Sequence, residues 1–252
     1  MKKTFFAALI LGGSSLFPAC KKQAVAIQAS SYQSIIKKAG AVTGKATDTR
    51  GNALKGVNIT AEHTVWSGTY LYATTNINGK YSINIPSDPA GDWIATAKYS
   101  KNAYGKTYLF EMDGNKAPFS QADTAIRNFT WKLSGKKPGE DGYYGAHVDL
   151  YQFGTDAQMD KIKIVFTPID GTLIDGSAAV SFERKVEDVA GTFMVKDVPI
   201  GKYSISAKYP GKKLYLENRH DDKGAAVNKT VIFGKYGFLG ETEYNIEFWV
   251  SE

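Results

Sequence analysis

From residue 40 onward, apolar and polar residues alternate in short runs, and the runs are separated by Gly, Asn, Asp or Pro. In one such run, Tyr81, Ile83 and Ile85 alternate with polar residues until the run stops at Pro86. Alternation of this kind is typical of strands that bury one face and expose the other. It predicts seven strands in the first half of the chain, at 41–46, 57–61, 69–75, 80–85, 92–99, 104–110 and 125–133.

Short strands at this spacing predict an all-β sandwich. The composition agrees, because aromatic residues make up 13% of the chain, with 15 Tyr, and Gly contributes 25 residues for tight turns. The formal net charge is +6, but positive and negative side chains are interspersed along the sequence. We therefore expect no nucleic-acid partner.

The second half of the chain repeats patterns of the first. Residues 91–99 match 201–209 at an offset of 110, and 79–83 resemble 191–195. Segments that recur in the same order favour two copies of one sandwich over two unrelated domains. Residues 136–142 contain no apolar side chain and are predicted to be a linker, which gives two domains, 40–135 and 143–252.

The N-terminus has the pattern of an export signal. Lys2 and Lys3 precede a mostly apolar stretch over 4–17, which is too short for a permanent membrane span, and Cys20 follows directly. Cys20 is the only cysteine of the chain, and the segment before it resembles a lipobox. We expect a signal peptide at 1–19, a lipid anchor on Cys20 and a tether at 20–39; the alternative is an ordinary signal peptide with an incidental cysteine.

The segment that begins at Gly44 matches a known pattern at Gly51, Leu54, Gly56, Val57, Gly79 and Tyr81. It resembles the carboxypeptidase regulatory-like domain, although Ala53 and Asn76 stand where that family usually has Pro and Asp. The resemblance implies two tandem Greek-key sandwiches of transthyretin or immunoglobulin type, in a lipoprotein of Bacteroidota type. It implies an accessory module of the cell envelope without an active site of its own. We expect an outer-membrane location, facing the periplasm or the cell surface.

The residues indicate no catalytic centre, metal site or cofactor. His63, His147 and His220 stand apart from one another, and the sequence lacks a nucleophile elbow. Aromatic residues near predicted turns are the one lead to a ligand site, since such rings can stack on sugars or anchor a protein. The candidates are Trp66, Tyr70, Tyr72, Tyr104, Tyr108 and Tyr236, with core or interdomain packing as the alternative; Trp93, Trp131 and Trp249 are predicted to be structural.

Three hypotheses for function remain open at this point. The first is a non-catalytic, lipid-anchored module for adhesion, scaffolding or ligand capture, with a glycan or an envelope protein as its partner. The second is a carbohydrate-binding accessory lipoprotein of a glycan-uptake system. The third is a hydrolase whose site has no recognisable sequence pattern.

Overall fold

The structure, a computed structural model, describes residues 40–86, 91–237 and 239–252. The predicted signal peptide, the tether and Cys20 lie outside the described residues. All regular structure in the described part of the chain is strand, apart from a short 3₁₀ turn at Met159–Lys161. The strands form four sheets that pair into two β-sandwiches, so the predicted all-β class is confirmed.

The first sandwich is built from two sheets of four strands. One has the order β4-β1-β8-β7, in which β1 is antiparallel to β4 and parallel to β8. The other has the order β3-β2-β5-β6 and is antiparallel throughout. The strands are β1 (Ala41–Asp48), β2 (Asn58–His63), β3 (Tyr70–Thr74), β4 (Lys80–Asn84), β5 (Trp93–Ala103), β6 (Lys106–Glu111), β7 (Asp113–Gly114) and β8 (Phe129–Trp131).

The second sandwich repeats this arrangement with additional short strands. One sheet has the order β12-β13-β9-β18-β16, and the other has the order β11-β10-β14-β15 with β17 also paired to β14. The strands are β9 (Ala146–Gln152), β10 (Lys163–Pro168), β11 (Phe182–Lys185), β12 (Glu187–Val189), β13 (Thr192–Val198), β14 (Lys202–Tyr209), β15 (Lys212–Lys213), β16 (Tyr215–Asn218), β17 (Lys229–Ile232) and β18 (Asn245–Ser251).

The segments that match in sequence lie on equivalent strands of the two sandwiches. β9 is antiparallel to β13 and parallel to β18, as β1 is to β4 and β8. β10 pairs with β11 and β14, as β2 pairs with β3 and β5. Residues 91–99 and 201–209 thus contribute β5 and β14, which occupy the same position in their sheets.

Each core is formed by the alternate residues that the period-two pattern places inward. In the first sandwich, Ile59, Ala61, Ala95 and Ala97 of β2 and β5 are fully buried, together with the large rings of Trp93 and Trp131. Trp93 and Trp131 are therefore core residues, as the sequence predicts. Trp249 differs from the prediction, because it lies on the outward face of β18 and is only half-buried, while its neighbours Phe248 and Val250 face the core.

Close backbone packing in the first sandwich explains why glycine stands at position 44. A Cβ atom at Gly44 would lie 1.8 Å from the carbonyl oxygen of Arg127, since the chain before β8 runs directly against β1 there. The Arg127 backbone N–H donates to the Thr43 carbonyl at 2.9 Å, and the Tyr81 hydroxyl donates to the Arg127 carbonyl at 2.7 Å. These bonds hold the two segments at a separation that only glycine allows.

Side chains and backbone groups connect the two sandwiches. The Tyr108 hydroxyl donates to the Phe233 carbonyl at 3.0 Å, and the Leu109 N–H donates to the Tyr244 hydroxyl at 2.6 Å. At a separate contact, the Arg50 guanidinium donates to the carbonyls of Asp175 and Gly176. The two sandwiches belong to one compact unit.

The segment at 136–142 contacts the first sandwich through ion pairs. Lys137 pairs with Glu111 at 2.7 Å, and Lys116 bridges Glu111 and Glu140. Burial acts to raise the pKa of Glu111, but the hydrogen bonds and charges of Lys116 and Lys137 bring it below its ordinary value. Residues 136–142 thus connect the two sandwiches, and their charged side chains also bind this segment to the first sandwich.

Candidate functional site

The outward face of the β3-β2-β5-β6 sheet carries the exposed aromatic residues of the first sandwich. Strand β3 is an edge strand, and alternation along it places Tyr70, Tyr72 and Thr74 outward. On the neighbouring strand β2, the outward residues include Asn58 and Thr60. We call this surface the outer face; its members are Asn58, Thr60, Glu62, Tyr70, Tyr72, Thr74, Thr96 and Lys98.

Two of the six aromatic candidates form a pair on this outer face. Tyr70 is 41% exposed and Tyr72 is 71% exposed, and their ring centroids lie 6.1 Å apart with an interplanar angle of 34°. The spacing follows from their positions two residues apart on one strand, which directs both side chains to the same side of the sheet. The pair therefore presents two neighbouring rings to solvent.

A groove beside Tyr72 extends across the outer face towards the second sandwich. It has a volume of about 430 Å³, and Asn58, Thr60, Thr74 and Leu109 contribute to its lining. Its lining also includes Lys98 and Glu241, which form an ion pair between the two sandwiches. The hydrogen bond and the charge of Lys98 lower the pKa of Glu241 below its ordinary value, so Glu241 is ionised at neutral pH.

Trp66 is exposed at the tip of the β2–β3 hairpin. Its side chain is 52% exposed, and its ring stacks on that of His63 at 6.3 Å between centroids. The His63 Nδ1 atom accepts the backbone N–H of Trp66 at 3.0 Å, and the His63 ring packs edge-on against Trp93. Trp66 is thus partly exposed but also covers a buried histidine at the end of the core.

Tyr104 and Tyr108, which the sequence offers as ligand-binding candidates with core packing as the alternative, do not lie on the outer face. Tyr104 and Gly105 both have positive φ, 51° and 72°, so the connection between β5 and β6 takes only two residues. Strand β6 therefore begins at Lys106, and its alternation places Tyr108 inward, with 0% of its surface exposed. Burial raises the pKa of Tyr108, and its ring packs against Tyr244 at 5.0 Å.

Tyr104 is half-buried and packs against the core at the same turn. Tyr236, the remaining candidate, is half-buried in the second sandwich, where its ring stacks on His220 at 3.9 Å with an angle of 5°. Its backbone N–H donates to the Asn245 side chain at 2.9 Å. Of the six candidates, the structure therefore exposes Trp66, Tyr70 and Tyr72, and the rings of Tyr70 and Tyr72 form a pair.

A second outward surface, which the sequence analysis missed, lies on β9 and β18. Tyr151 and Trp249 are adjacent there at 5.4 Å, and the Arg219 guanidinium lies 4.1 Å and 4.6 Å from their ring centroids. Arg219 also pairs with Glu247 at 2.9 Å. On the same surface, Phe153 is 62% exposed and packs against Trp249 at 5.9 Å between ring centroids.

The polar members of the outer face were also absent from the sequence-based candidates. Asn58 and Thr60 alternate with the buried Ile59 and Ala61, so the same period-two pattern that predicts the strand indicates that they face outward. The pairing of Lys98 with Glu241 joins residues 143 positions apart and has no local sequence signal.

Two features are absent from residues 40–86, 91–237 and 239–252. In these residues, no group of three or more His, Cys, Asp or Glu side chains is arranged to hold a metal ion. No helix in the same ranges is long and apolar enough to cross a membrane.

No family model and no curated protein sequence matches the chain. Among solved structures, it is similar to the TIE protein of Bacillus anthracis, with 13% identity and a TM-score of 0.31 over 84% of this chain and 34% of that one. It is similar to a streptococcal ancillary pilin, with 14% identity and a TM-score of 0.25 over 82% of this chain and 62% of that one.

It is also similar to one B repeat of the collagen-binding surface protein of Staphylococcus aureus, with 13% identity and a TM-score of 0.24 over 84% of this chain and 97% of that one. The chain spans less than two thirds of the length of the TIE protein and of the ancillary pilin. Because these TM-scores are low, the assignment of the fold rests on the four sheets of this chain and not on the similarities.

Proposed function

We propose that this protein is a non-catalytic binding module of the cell envelope, which captures its ligand on the outer face of the first sandwich. The observation that carries the proposal is the exposed pair Tyr70 and Tyr72, with Tyr72 at the side of a groove of about 430 Å³. Tyrosine rings combine a large apolar surface with a polar tip, and they bring much contact area at low entropic cost. An exposed pair of such rings is a typical anchor for a ligand.

The proposal also places the protein on a membrane, through a lipid on Cys20. It is supported by the short apolar stretch before that single cysteine. In this proposal the protein is an outer-membrane lipoprotein that faces the periplasm or the cell surface. We also propose the finer assignment to carboxypeptidase regulatory-like lipoproteins of Bacteroidota type. Gly51, Gly56 and Gly79 of the matching pattern support it, because each adopts a positive φ at a turn.

Replacing Cys20 by serine should move the protein from the membrane fraction to the soluble fraction, or leave its leader uncleaved. The reason is that each buried methylene of an acyl chain contributes about 0.8 kcal/mol to membrane binding, and serine accepts no such chain. Fractionation followed by immunoblotting measures the change, with Lys21→Ser as the control that stays in the membrane fraction. Cys20→Ser at the wild-type level in the membrane fraction would refute the lipid anchor.

Replacing Tyr72 by alanine should weaken ligand binding roughly tenfold or more, because loss of an anchoring aromatic typically costs about 1–2 kcal/mol. The melting temperature should stay unchanged, since the side chain is 71% exposed. Binding is measured by biolayer interferometry against a panel of soluble polysaccharides, collagen and fibronectin.

Phe153→Ala is the matched control, because Phe153 is 62% exposed but belongs to the second sandwich. It should bind each member of the panel as the wild type does. The proposal fails if Tyr72→Ala binds as tightly as the wild type, or if Phe153→Ala shows the larger loss.

A further inference from the structure

We infer that the outer face takes a neutral glycan chain, and that the second sandwich completes the site through Glu241. This inference rests on the proposed function and names the ligand class of the same site. Three features carry it: the ring pair, the amide and hydroxyl side chains in the lining of the groove, and the ion pair at its far side.

The ring pair suits two adjoining sugar units. Tyr70 and Tyr72 lie 6.1 Å apart and both face solvent, so that each ring can stack against the C–H face of one sugar. Polar residues stand beside the rings on this face, because the partners of Tyr70 and Tyr72 on β2 are Glu62 and Thr60. A sugar has apolar C–H faces and polar hydroxyl groups, so it matches a surface that combines aromatic rings with polar side chains.

The lining of the groove offers neutral hydrogen-bonding groups. Asn58, Thr60 and Thr74 contribute amide and hydroxyl groups, which act as donors and acceptors towards sugar hydroxyls. The volume of about 430 Å³ lies in the range of small-molecule sites, which is about 300–1,000 Å³, so it admits a short stretch of chain. The remainder of a longer glycan would pass over the exposed rings of β3.

The charges around the groove disfavour an acidic polymer. Lys98 is paired with Glu241, and Glu62 adds a further carboxylate on the outer face. Lys235 also acts on Glu241, so these four charges balance and leave no excess of positive charge to attract uronic acids and other anionic chains.

The second sandwich holds Glu241 at the side of the groove. The Lys98 ammonium and the Lys235 ammonium bond to its carboxylate and its backbone carbonyl, respectively. Nearby, the bond between Leu109 and Tyr244 joins the two sandwiches. With its position set in this way, the ionised carboxylate can accept hydrogen bonds from sugar hydroxyls and discriminate between their orientations.

The test is affinity electrophoresis of the purified protein in gels that contain hydroxyethyl cellulose, xylan, mannan, dextran or polygalacturonate. We expect at least one neutral polysaccharide to retard the wild type and polygalacturonate to leave it unretarded. Tyr72→Ala should abolish the retardation, and Glu241→Gln should reduce the affinity threefold to tenfold without a change in melting temperature. Phe153→Ala and Glu183→Gln are the controls, because Glu183 is a comparably exposed carboxylate paired with Lys163 on the second sandwich.

The possible outcomes distinguish a failure of the glycan inference from a failure of the proposed function. If no neutral polysaccharide retards the wild type, or if only polygalacturonate does, the glycan inference is wrong. The proposed function would still stand if Tyr72→Ala then lost binding to collagen or fibronectin. If Tyr72→Ala loses glycan binding while Glu241→Gln keeps the wild-type affinity, the contribution of the second sandwich is overturned.

Discussion

Tyr108→Ala is expected to destabilise the protein by about 4 kcal/mol, in the range that truncation of a large buried aromatic typically costs. Tyr108 is fully buried, and its ring contacts those of Phe110 and Tyr244. Its hydroxyl donates to the Phe233 carbonyl, so the substitution also leaves a buried acceptor in the second sandwich without this donor. Denaturant unfolding followed by tryptophan fluorescence measures the loss.

Tyr108→Phe separates the ring from the hydroxyl and should cost about 1 kcal/mol, the net value of one hydrogen bond. Tyr72→Ala is the exposed counterpart and should change the free energy of unfolding by less than about 0.5 kcal/mol. Because Tyr108 joins both sandwiches, we also expect one unfolding transition for the wild type. A Tyr108→Ala protein as stable as Tyr72→Ala would contradict the buried interface, as would two separate wild-type transitions.

Gly44→Ala is expected to lower the free energy of unfolding by about 3 kcal/mol, at the upper end of the usual cost of overpacking. The added Cβ atom would lie 1.8 Å from the Arg127 carbonyl oxygen, 2.7 Å from its carbonyl carbon and 2.8 Å from the Tyr81 ring. The backbone of β1 must therefore move away from the segment before β8, which breaks the bonds that join them. For a chain of this size the loss corresponds to a decrease of roughly 6–12 °C in melting temperature.

Gly171→Ala is the matched control for this substitution. No atom lies within 4 Å of a Cβ built at Gly171, so alanine meets open space there. Its melting temperature should remain within about 2 °C of the wild type. Equal stability of the two variants would show that β1 and the Arg127 segment are farther apart than the structure has them.

The fold follows from the sequence where alternation is local and complete. The prediction of a strand at 80–85 agrees closely with β4, because Tyr81 and Ile83 face the core and Pro86 ends the run. The sequence predicts a strand that ends at Tyr99, whereas β5 continues to Ala103. The added residues are mostly polar, and pairing with β6 stabilises them as a strand. The turn between β5 and β6 requires a positive φ at Tyr104, which is unusual for a tyrosine and is not predicted by the sequence.

The candidate site could be predicted only in part. Tyr70 and Tyr72 are exposed because they occupy alternate, outward-facing positions on an edge strand, but the sequence does not indicate that β3 lies at an edge. Tyr108 looks similar in sequence and is buried, because it faces inward on β6 and its hydroxyl bonds to the Phe233 carbonyl of the second sandwich. The Lys98–Glu241 pair depends on how the sandwiches pack, which short-range patterns do not encode.

The central claim is that the ligand binds on the outer face of the first sandwich. Hydrogen–deuterium exchange tests it most directly, with the wild-type protein alone and with the panel member that binds it. The account predicts slower exchange in β2 and β3, at Asn58–His63 and Tyr70–Thr74, with no change in β9 and β18. Slower exchange confined to Ala146–Gln152 and Asn245–Ser251 would contradict it, because the ligand would then lie on the Tyr151–Trp249 surface.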